Sequence, residues 1–185
     1  MRDAKEAEIV LQGVYRSTIE DGQYGYHLSI LFNLGTDMEQ AEGNSTENYR
    51  IIPANAFPTT QSEVQTTWSS LYAGVYNAND FLERISSKIN TYSDTDRQLA
   101  TLYIAEARAL RAMFYFELVR RYGNIALMTN TEMSKQDPRT FVQVKPEKVY
   151  EFIEETCFTL VEYCPMHKMT NTASITAIVF PGGLL

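Results

Sequence analysis

The amino-acid sequence predicts an all-α fold of antiparallel helix pairs with a long irregular loop insertion. Apolar residues recur at helical spacing in four segments of the chain. Two of the longest segments are joined by only a short connection at 90–94, which is typical of antiparallel neighbours. The 185 residues, 44% hydrophobic and 21% charged, have the composition of a globular chain that is long enough for one domain.

The first predicted helix covers residues 2–18. Its apolar positions follow helical spacing, at Ala4, Ala7, Val10, Leu11, Val14 and Tyr15. Glu6 and Glu8 lie near its start, where negative charge suits the positive end of the helix dipole. Gly22 and Gly25 follow this segment, and we expect the helix to end before them.

Residues 21–65 show no sustained period and are predicted to form a long, structured surface loop, with short extended pieces at 26–33 and 49–52. A structureless loop of this length is uncommon unless it has a function. Sugars are bound by aromatic faces and by hydrogen bonds from polar side chains. We therefore expect ligand contacts from four loop residues: Asp37, Asn48, Tyr49 and Arg50. The same mixture also describes an ordinary polar loop, and that alternative stays open.

Two long helices are predicted next, over 62–89 and 96–122. The side-chain stripe of the first comprises Trp68, Leu71, Tyr72, Val75, Tyr76, Asn79, Leu82 and Ile85. Thr95 is the predicted N-cap of the second helix, with Gln98 completing a capping box, and Gly123 is expected to stop it. A cluster of alanines in the second helix indicates close approach of a neighbouring helix: Ala105, Ala107, Ala109 and Ala112.

The remainder of the chain is predicted as an irregular stretch over 124–144 followed by a fourth helix. Pro146 suits the first turn of that helix, and its apolar face comprises Val149, Phe152, Ile153, Leu160 and Val161. Pro165 is expected to end it. Stacked helix pairs of this kind suggest a tetratricopeptide-like core, although no strict repeat period is present.

Composition and motifs argue against several function classes. The net charge of -7 disfavours nucleic-acid binding, which needs clustered Lys and Arg. Two Cys and two His are few ligands for a metal site, and the sequence contains no nucleotide-binding loop motif. Glu151, Glu154 and Glu155 are interpreted as a solvated helix face rather than as a catalytic carboxylate pair. No apolar run is long enough to span a membrane, and the first residues lack the apolar segment of a signal peptide.

Two long motifs resemble a known family. Residues 68–79 (WSSLYAGVYNAN) and 105–127 (AEARALRAMFYFELVRRYGNIAL), followed by VYEFI at 149–153, are similar to the SusD/RagB family of surface glycan-binding lipoproteins. Ala126 departs from the family pattern, which usually has Pro there. The resemblance implies a tetratricopeptide-like helical scaffold and a binding protein rather than an enzyme. No cofactor and no metal are expected.

The same resemblance implies a location and partners. Family members are anchored by an N-terminal lipidated Cys at the outer-membrane surface of Bacteroidetes-type bacteria, where they form a lid over a SusC-type TonB-dependent transporter. We therefore expect an oligosaccharide or other nutrient as the ligand and such a transporter as the partner, with membrane attachment only through a lipid whose Cys is absent from this chain. The alternative is a helical scaffold that docks the transporter and has no ligand site of its own.

The resemblance covers residues 1–177 as a SusD-like N-terminal helical region. Residues 178–185 leave the family pattern abruptly, which suggests a truncation or a frameshift. Six motif residues are expected to support the scaffold rather than to contact ligand: Trp68, Tyr72, Asn79, Arg111, Tyr115 and Gly123. We expect Trp68 and Tyr72 to be buried and Arg111 to order a helix junction.

Overall fold

The computed structural model describes residues 1–34, 52 and 60–163, except for the side chains of 138 and 161–163. Its α-helices are α1, Ala4–Thr18; α2, Ser62–Lys88; α3, Asp94–Tyr122; α4, Thr131–Ser134; and α5, Pro146–Tyr163. The four predicted helices are therefore confirmed, with starts shifted by at most two residues. Pro165, the predicted end of the fourth helix, and the tail at 178–185 lie outside the described residues. None of the described helices is long and apolar enough to cross a membrane.

The chain divides into two compact units, one formed by residues 1–14 with those from 75 onward, the other by residues 15–74. In the first unit, α3 and α5 pack along each other. Val149 and Ile153 of α5 are buried, and so are the four alanines of α3 that predicted a close helix contact. Small side chains allow helix axes to approach, since the interaxial distance depends on the residues at the contact.

The buried face of α2 differs from the predicted stripe. Phe81 is fully buried, whereas Leu82 is only half-buried and Tyr76 is 39% exposed. Positions 81 and 82 both continue the buried face from Ala78 at helical spacing. The periodicity therefore could not choose between them, and the structure places the larger aromatic side chain in the core.

Helix α3 begins two residues earlier than predicted because Ser93, not Thr95, is its N-cap. The Ser93 hydroxyl accepts a hydrogen bond from the Asp96 N–H (3.2 Å) and donates one to the Asp96 carboxylate (2.8 Å). Asp96 thus gives Ser93 a partner three residues on, at the spacing of a capping box. At the other end, Gly123 has φ 71° and donates its N–H to the Val119 carbonyl (3.0 Å), which confirms the predicted glycine stop.

Replacing Ser93 with alanine is expected to lower the free energy of unfolding by about 1 kcal/mol, because the first turn of α3 loses its side-chain acceptor. Thr95→Ala is the matched control, since Thr95 is exposed and lies inside the helix. Its effect should stay within about 0.5 kcal/mol. Urea denaturation followed by circular dichroism measures both, and an equal loss in the two variants would contradict the assignment of the cap.

The predicted irregular stretch at 124–144 contains a small sheet. Strands β1 (Ile125–Ala126) and β2 (Gln143–Val144) pair antiparallel, with Ile125 opposite Val144 and Ala126 opposite Gln143. A 3-10 turn at Pro138–Thr140 and helix α4 lie between the strands. Strands of two residues are too short to show an alternating pattern, which is why the sequence did not predict them.

In the second unit, the extended piece predicted at 26–33 is wrong. A π-helix covers His27–Leu31, with the Phe32 N–H donating to the His27 carbonyl (3.0 Å). The side chains of His27, Leu28 and Leu31 are buried, and their spacing of one and four residues describes a helical face. Of the second predicted extended piece, 49–52, only Ile52 lies among the described residues, and it is buried.

Candidate functional site

The four predicted ligand residues, Asp37, Asn48, Tyr49 and Arg50, lie outside the described residues. The structure instead describes the two segments that flank them in the second unit. One is the turn segment, defined here as residues 19–34, and the other is the first half of α2.

Three contacts fix the turn segment on α2. A Cβ added at Gly22 would lie 2.8 Å from the Ser70 Cβ and 3.1 Å from the Thr66 carbonyl oxygen, so this close approach of the backbone to α2 favours glycine. Gln23 is fully buried, and its Nε2 donates to the Ser70 carbonyl (2.7 Å). The His27 Nδ1 lies 2.8 Å from the Thr67 Oγ1 in a buried hydrogen bond. Thr67 and Ser70 are three residues apart and therefore share one face of α2.

Burial lowers the pKa of His27 below its ordinary value of 6.5, although the negative charges of Glu63 and Asp21 and a hydrogen bond to the Glu63 backbone oppose that shift. The neutral imidazole is thus the form that the folded turn segment favours. Because the unfolded chain keeps the ordinary pKa, it binds more protons than the folded chain as the pH falls below 6.5.

We expect the folded chain to lose stability as the pH falls from 7.5 toward 5, with the contribution of His27 limited to about 1.4 kcal/mol per pH unit, the value for one proton. His27→Gln removes the titrating group and should flatten this dependence. Thermal melts of both proteins across that pH range make the comparison. A His27→Gln variant with the same slope as the parent, or a parent that gains stability on acidification, would contradict this expectation.

The aromatic pair Trp68 and Tyr72 lies on α2 in the same unit. Their ring centroids are 4.8 Å apart with planes tilted by 52°. Both side chains are half-buried, so the expectation that they are buried is wrong. Their position at i and i+4 places the rings side by side, while Leu71, fully buried, faces the core. The two rings stabilise the helix surface and stay partly accessible to solvent.

In the first unit, two predicted scaffold residues, Asn79 and Tyr115, bind the backbone of Met128, and a third, Arg111, binds Asn79. The Asn79 Nδ2 donates to the Met128 carbonyl (2.9 Å), and the Tyr115 hydroxyl donates to the same carbonyl (2.6 Å). The Met128 N–H in turn donates to the Tyr115 hydroxyl (2.8 Å). The Arg111 Nη1 donates to the Asn79 Oδ1 (2.7 Å). We call these four residues the Met128 cluster.

The Met128 cluster joins α2 and α3 to the segment that follows β1. Asn79 and Tyr115 are at most 1% exposed, so their polar atoms have exchanged water for protein partners. The ring of Phe152 on α5 meets Tyr115 edge-on at 5.5 Å between centroids and lies 5.1 Å from the Arg111 guanidinium carbon. From its position on α3, Arg111 thus contacts Asn79 of α2 and Phe152 of α5.

Sequence reasoning missed Glu83 and Met128. The Glu83 carboxylate accepts hydrogen bonds from the Thr131 N–H (2.7 Å) and the Thr131 hydroxyl (2.6 Å), and these bonds lower the pKa of Glu83. Asn130 caps α4 by accepting from the Met133 N–H (2.9 Å). The succession of Asn130 and Thr131 was a helix-start signal that could have located α4. Met128 takes part through its backbone, which leaves no signature in the sequence.

No group of three or more His, Cys, Asp or Glu side chains that could hold a metal is found among the described residues. Cys157 is a free, half-buried thiol whose pKa is raised by burial and by the charge of Glu154. A raised pKa keeps the thiol protonated and weakens it as a nucleophile. The second cysteine, Cys164, lies outside the described residues.

The family to which the chain belongs follows from its match to a family model. Residues 5–169 match the family model SusD-like_3, described as "Starch-binding associating with outer membrane". The chain belongs to the SusD-like family. This is a family of binding proteins rather than of enzymes.

Solved SusD structures share the fold. A SusD homolog from Bacteroides thetaiotaomicron VPI-5482 is 65% identical with a TM-score of 0.85, over 88% of this chain and 30% of that one. A laminarin-binding SusD-like protein is 25% identical with a TM-score of 0.72, over 88% of this chain and 34% of that one. The helical architecture is therefore the tetratricopeptide-like one of SusD structures, as the sequence predicted.

Among curated relatives, SusD-like protein P38 of Formosa agariphila is 32% identical over 109 residues, which are 57% of this chain and 20% of that protein. The chain thus spans about a third or less of the length of the SusD-like proteins that it matches.

Proposed function

We propose that this SusD-like protein binds an oligosaccharide at the cell surface and delivers it to a SusC-type TonB-dependent transporter in the outer membrane. The observation that carries the proposal is the match of residues 5–169 to a family described as starch-binding and associated with the outer membrane. The similarity to a laminarin-binding SusD-like protein supports a glucan or related oligosaccharide as the ligand. The proposed attachment to the membrane is through an N-terminal lipid.

The proposed ligand contacts are Asp37, Asn48, Tyr49 and Arg50. Tyr49 would stack on a sugar face, and the three polar side chains would hydrogen-bond the hydroxyl groups. The chain enters this loop from the turn segment, whose Gly22, Gln23 and His27 contacts on α2 are described above. Binding residues on loops that are held by a rigid scaffold are common in proteins.

Isothermal titration of the chain against maltooligosaccharides, laminarioligosaccharides and xylooligosaccharides tests the proposal. We expect saturable binding to one of these series and no turnover of any of them. Absence of heat with every series would contradict oligosaccharide binding.

A second candidate function is a helical scaffold that docks the transporter and has no ligand site of its own. It is favoured by the Met128 cluster, because Asn79, Arg111 and Tyr115 direct their hydrogen bonds to protein atoms. Co-purification of the chain with a SusC-type barrel, combined with no heat in the sugar titrations, would favour this second function over the first.

A further inference from the structure

Arg108 and Arg111 are two cations of α3 without a carboxylate partner. They are three residues apart, so they are neighbours on one face of the helix. Within the part of the chain that the structure describes, no carboxylate lies within 4.0 Å of either guanidinium. Of the other described arginines, the exposed Arg16 likewise has none, whereas six do have such a partner: Arg2, Arg84, Arg97, Arg120, Arg121 and Arg139. We call Arg108 and Arg111 the arginine pair.

The arginine pair is half-buried, in a chain that has 23 Asp and Glu against 16 Lys and Arg. Several described cations pair with a carboxylate three or four residues away on the same helix, as Arg84 does with Asp80 at 2.8 Å. Those outside the arginine pair that lack a carboxylate within 4.0 Å are all exposed: Lys5, Arg16, Lys88 and Lys145. Arg108 and Arg111 differ from these exposed cations because both are half-buried and still lack a carboxylate.

Arg111 is half-buried and only partly satisfied. Its Nη1 donates to the Asn79 Oδ1 (2.7 Å) and more weakly to the Thr129 carbonyl (3.4 Å), both of which are neutral acceptors. Its Nε is buried without a hydrogen-bond partner among the described residues. One face of the guanidinium lies over the Phe152 ring at 5.1 Å. Removing a charge from water is costly unless an opposite charge or sufficient hydrogen bonds compensate.

Arg120 on the same helix provides an internal comparison. Its guanidinium lies over the Phe116 ring at 5.2 Å, nearly the same distance as in the Arg111–Phe152 contact. Arg120 also has the Glu117 carboxylate at 3.7 Å. Each of the two arginines lies over an aromatic ring, but only Arg120 also has a carboxylate beside it. A carboxylate is therefore the component that the Arg111 site lacks.

The two members of the arginine pair also affect each other. Burial lowers the pKa of Arg111, the Tyr115 hydroxyl opposes this shift, and the positive charge of Arg108 lowers the pKa further. A carboxylate that contacts both guanidinium groups would remove this repulsion. Guanidinium groups match carboxylates geometrically, with paired N–H donors that form charge-assisted hydrogen bonds.

We propose that Arg108 and Arg111 form a binding site for a carboxylate group, supplied either by an acidic sugar or by an aspartate or glutamate side chain. The Phe152 ring forms the apolar wall of this site, and Asn79 holds Arg111 in place. The site is separate from the loop residues proposed to bind oligosaccharide, and it does not depend on that function.

Nuclear magnetic resonance of the arginine Nε–Hε signals tests the proposal. The chain is titrated at constant ionic strength with methyl glucuronide and, as its neutral counterpart, methyl glucoside. A second arm uses N-acetylglutamate amide against N-acetylglutamine amide. We expect saturable shifts of the Arg108 and Arg111 signals with at least one acid and no saturable shift with its neutral counterpart. The arm that responds identifies the source of the carboxylate.

Two variants complete the test. Arg108→Gln should weaken binding of the acid about tenfold, as expected for loss of one charge-assisted hydrogen bond. It leaves the Met128 cluster intact, so it is preferred to a change at Arg111, which supports the fold. Arg120→Gln removes the same charge from the same helix and should leave binding unchanged. Failure of both acids to bind more tightly than their neutral counterparts, or unchanged binding by Arg108→Gln, would overturn the proposal.

Discussion

Replacing Asn79 with alanine is expected to lower the free energy of unfolding by about 3 kcal/mol, one of the two largest effects that we expect from a single substitution. The change removes the donor to the Met128 carbonyl and the acceptor of Arg111. Among the described residues, Arg111 would keep only its longer hydrogen bond, to the Thr129 carbonyl, while its side chain stays half-buried. Equilibrium urea denaturation provides the measurement.

Asn124→Ala is the matched control for this substitution. Asn124 is exposed and makes no side-chain hydrogen bond within the described part of the chain, so its replacement should cost less than about 0.5 kcal/mol. A double-mutant cycle with Arg111→Met then isolates the interaction between Asn79 and Arg111, for which we expect a coupling of about 1.5 kcal/mol or more. Additive effects of the two substitutions would contradict the described hydrogen bond.

Replacing Gly25 with alanine is the second substitution for which we expect a large loss in the free energy of unfolding. A Cβ at this position would lie 2.4 Å from the Ile19 carbonyl oxygen and 2.9 Å from that of Glu20. These are backbone atoms, so the turn segment would have to open, and the contacts of Gln23 and His27 with α2 would be lost. We expect a loss of at least about 2 kcal/mol in the free energy of unfolding.

Gly13→Ala is the control, because a Cβ at this position of α1 meets no atom within 4 Å. Alanine is a better helix former than glycine, so this variant should gain about 0.5–1 kcal/mol. The two glycine substitutions are thus expected to change stability in opposite directions. Thermal melts of the two proteins under one set of conditions show the signs directly, and a loss of similar size in both would contradict the description of the turn segment.

Sequence periodicity predicted the long helices well because each presents several turns of one buried face. Helix α2 shows the limit of this signal, since Phe81 and Leu82 both fit the period and only packing selects Phe81. At the start of α3, the sequence predicted Thr95 as the cap, whereas the structure has Ser93 in that position, with hydrogen bonds to the Asp96 N–H and carboxylate. The π-helix at His27–Leu31 is too short to show a period of its own.

The sites were predictable to different degrees. Asn79 and Tyr115 belong to two different motifs, and their common partner is the Met128 backbone, which no pattern of side chains reveals. The lack of a carboxylate beside Arg111 could not be predicted from the sequence, because its i and i+4 neighbours do not show which side chains face it from the other helices. The ligand contacts of the loop stay a prediction.

The central claim is that this SusD-like chain presents a sugar-binding loop on a helical scaffold. The most direct measurement is calorimetric titration of the Tyr49→Ala, Arg50→Ala double variant beside the parent chain, with the oligosaccharide series that the parent binds. The account predicts at least about tenfold weaker binding by the variant, since a lost stacking contact and a lost hydrogen bond each remove about 1 kcal/mol, together with an unchanged far-ultraviolet circular dichroism spectrum. Unchanged affinity in the folded variant would contradict it.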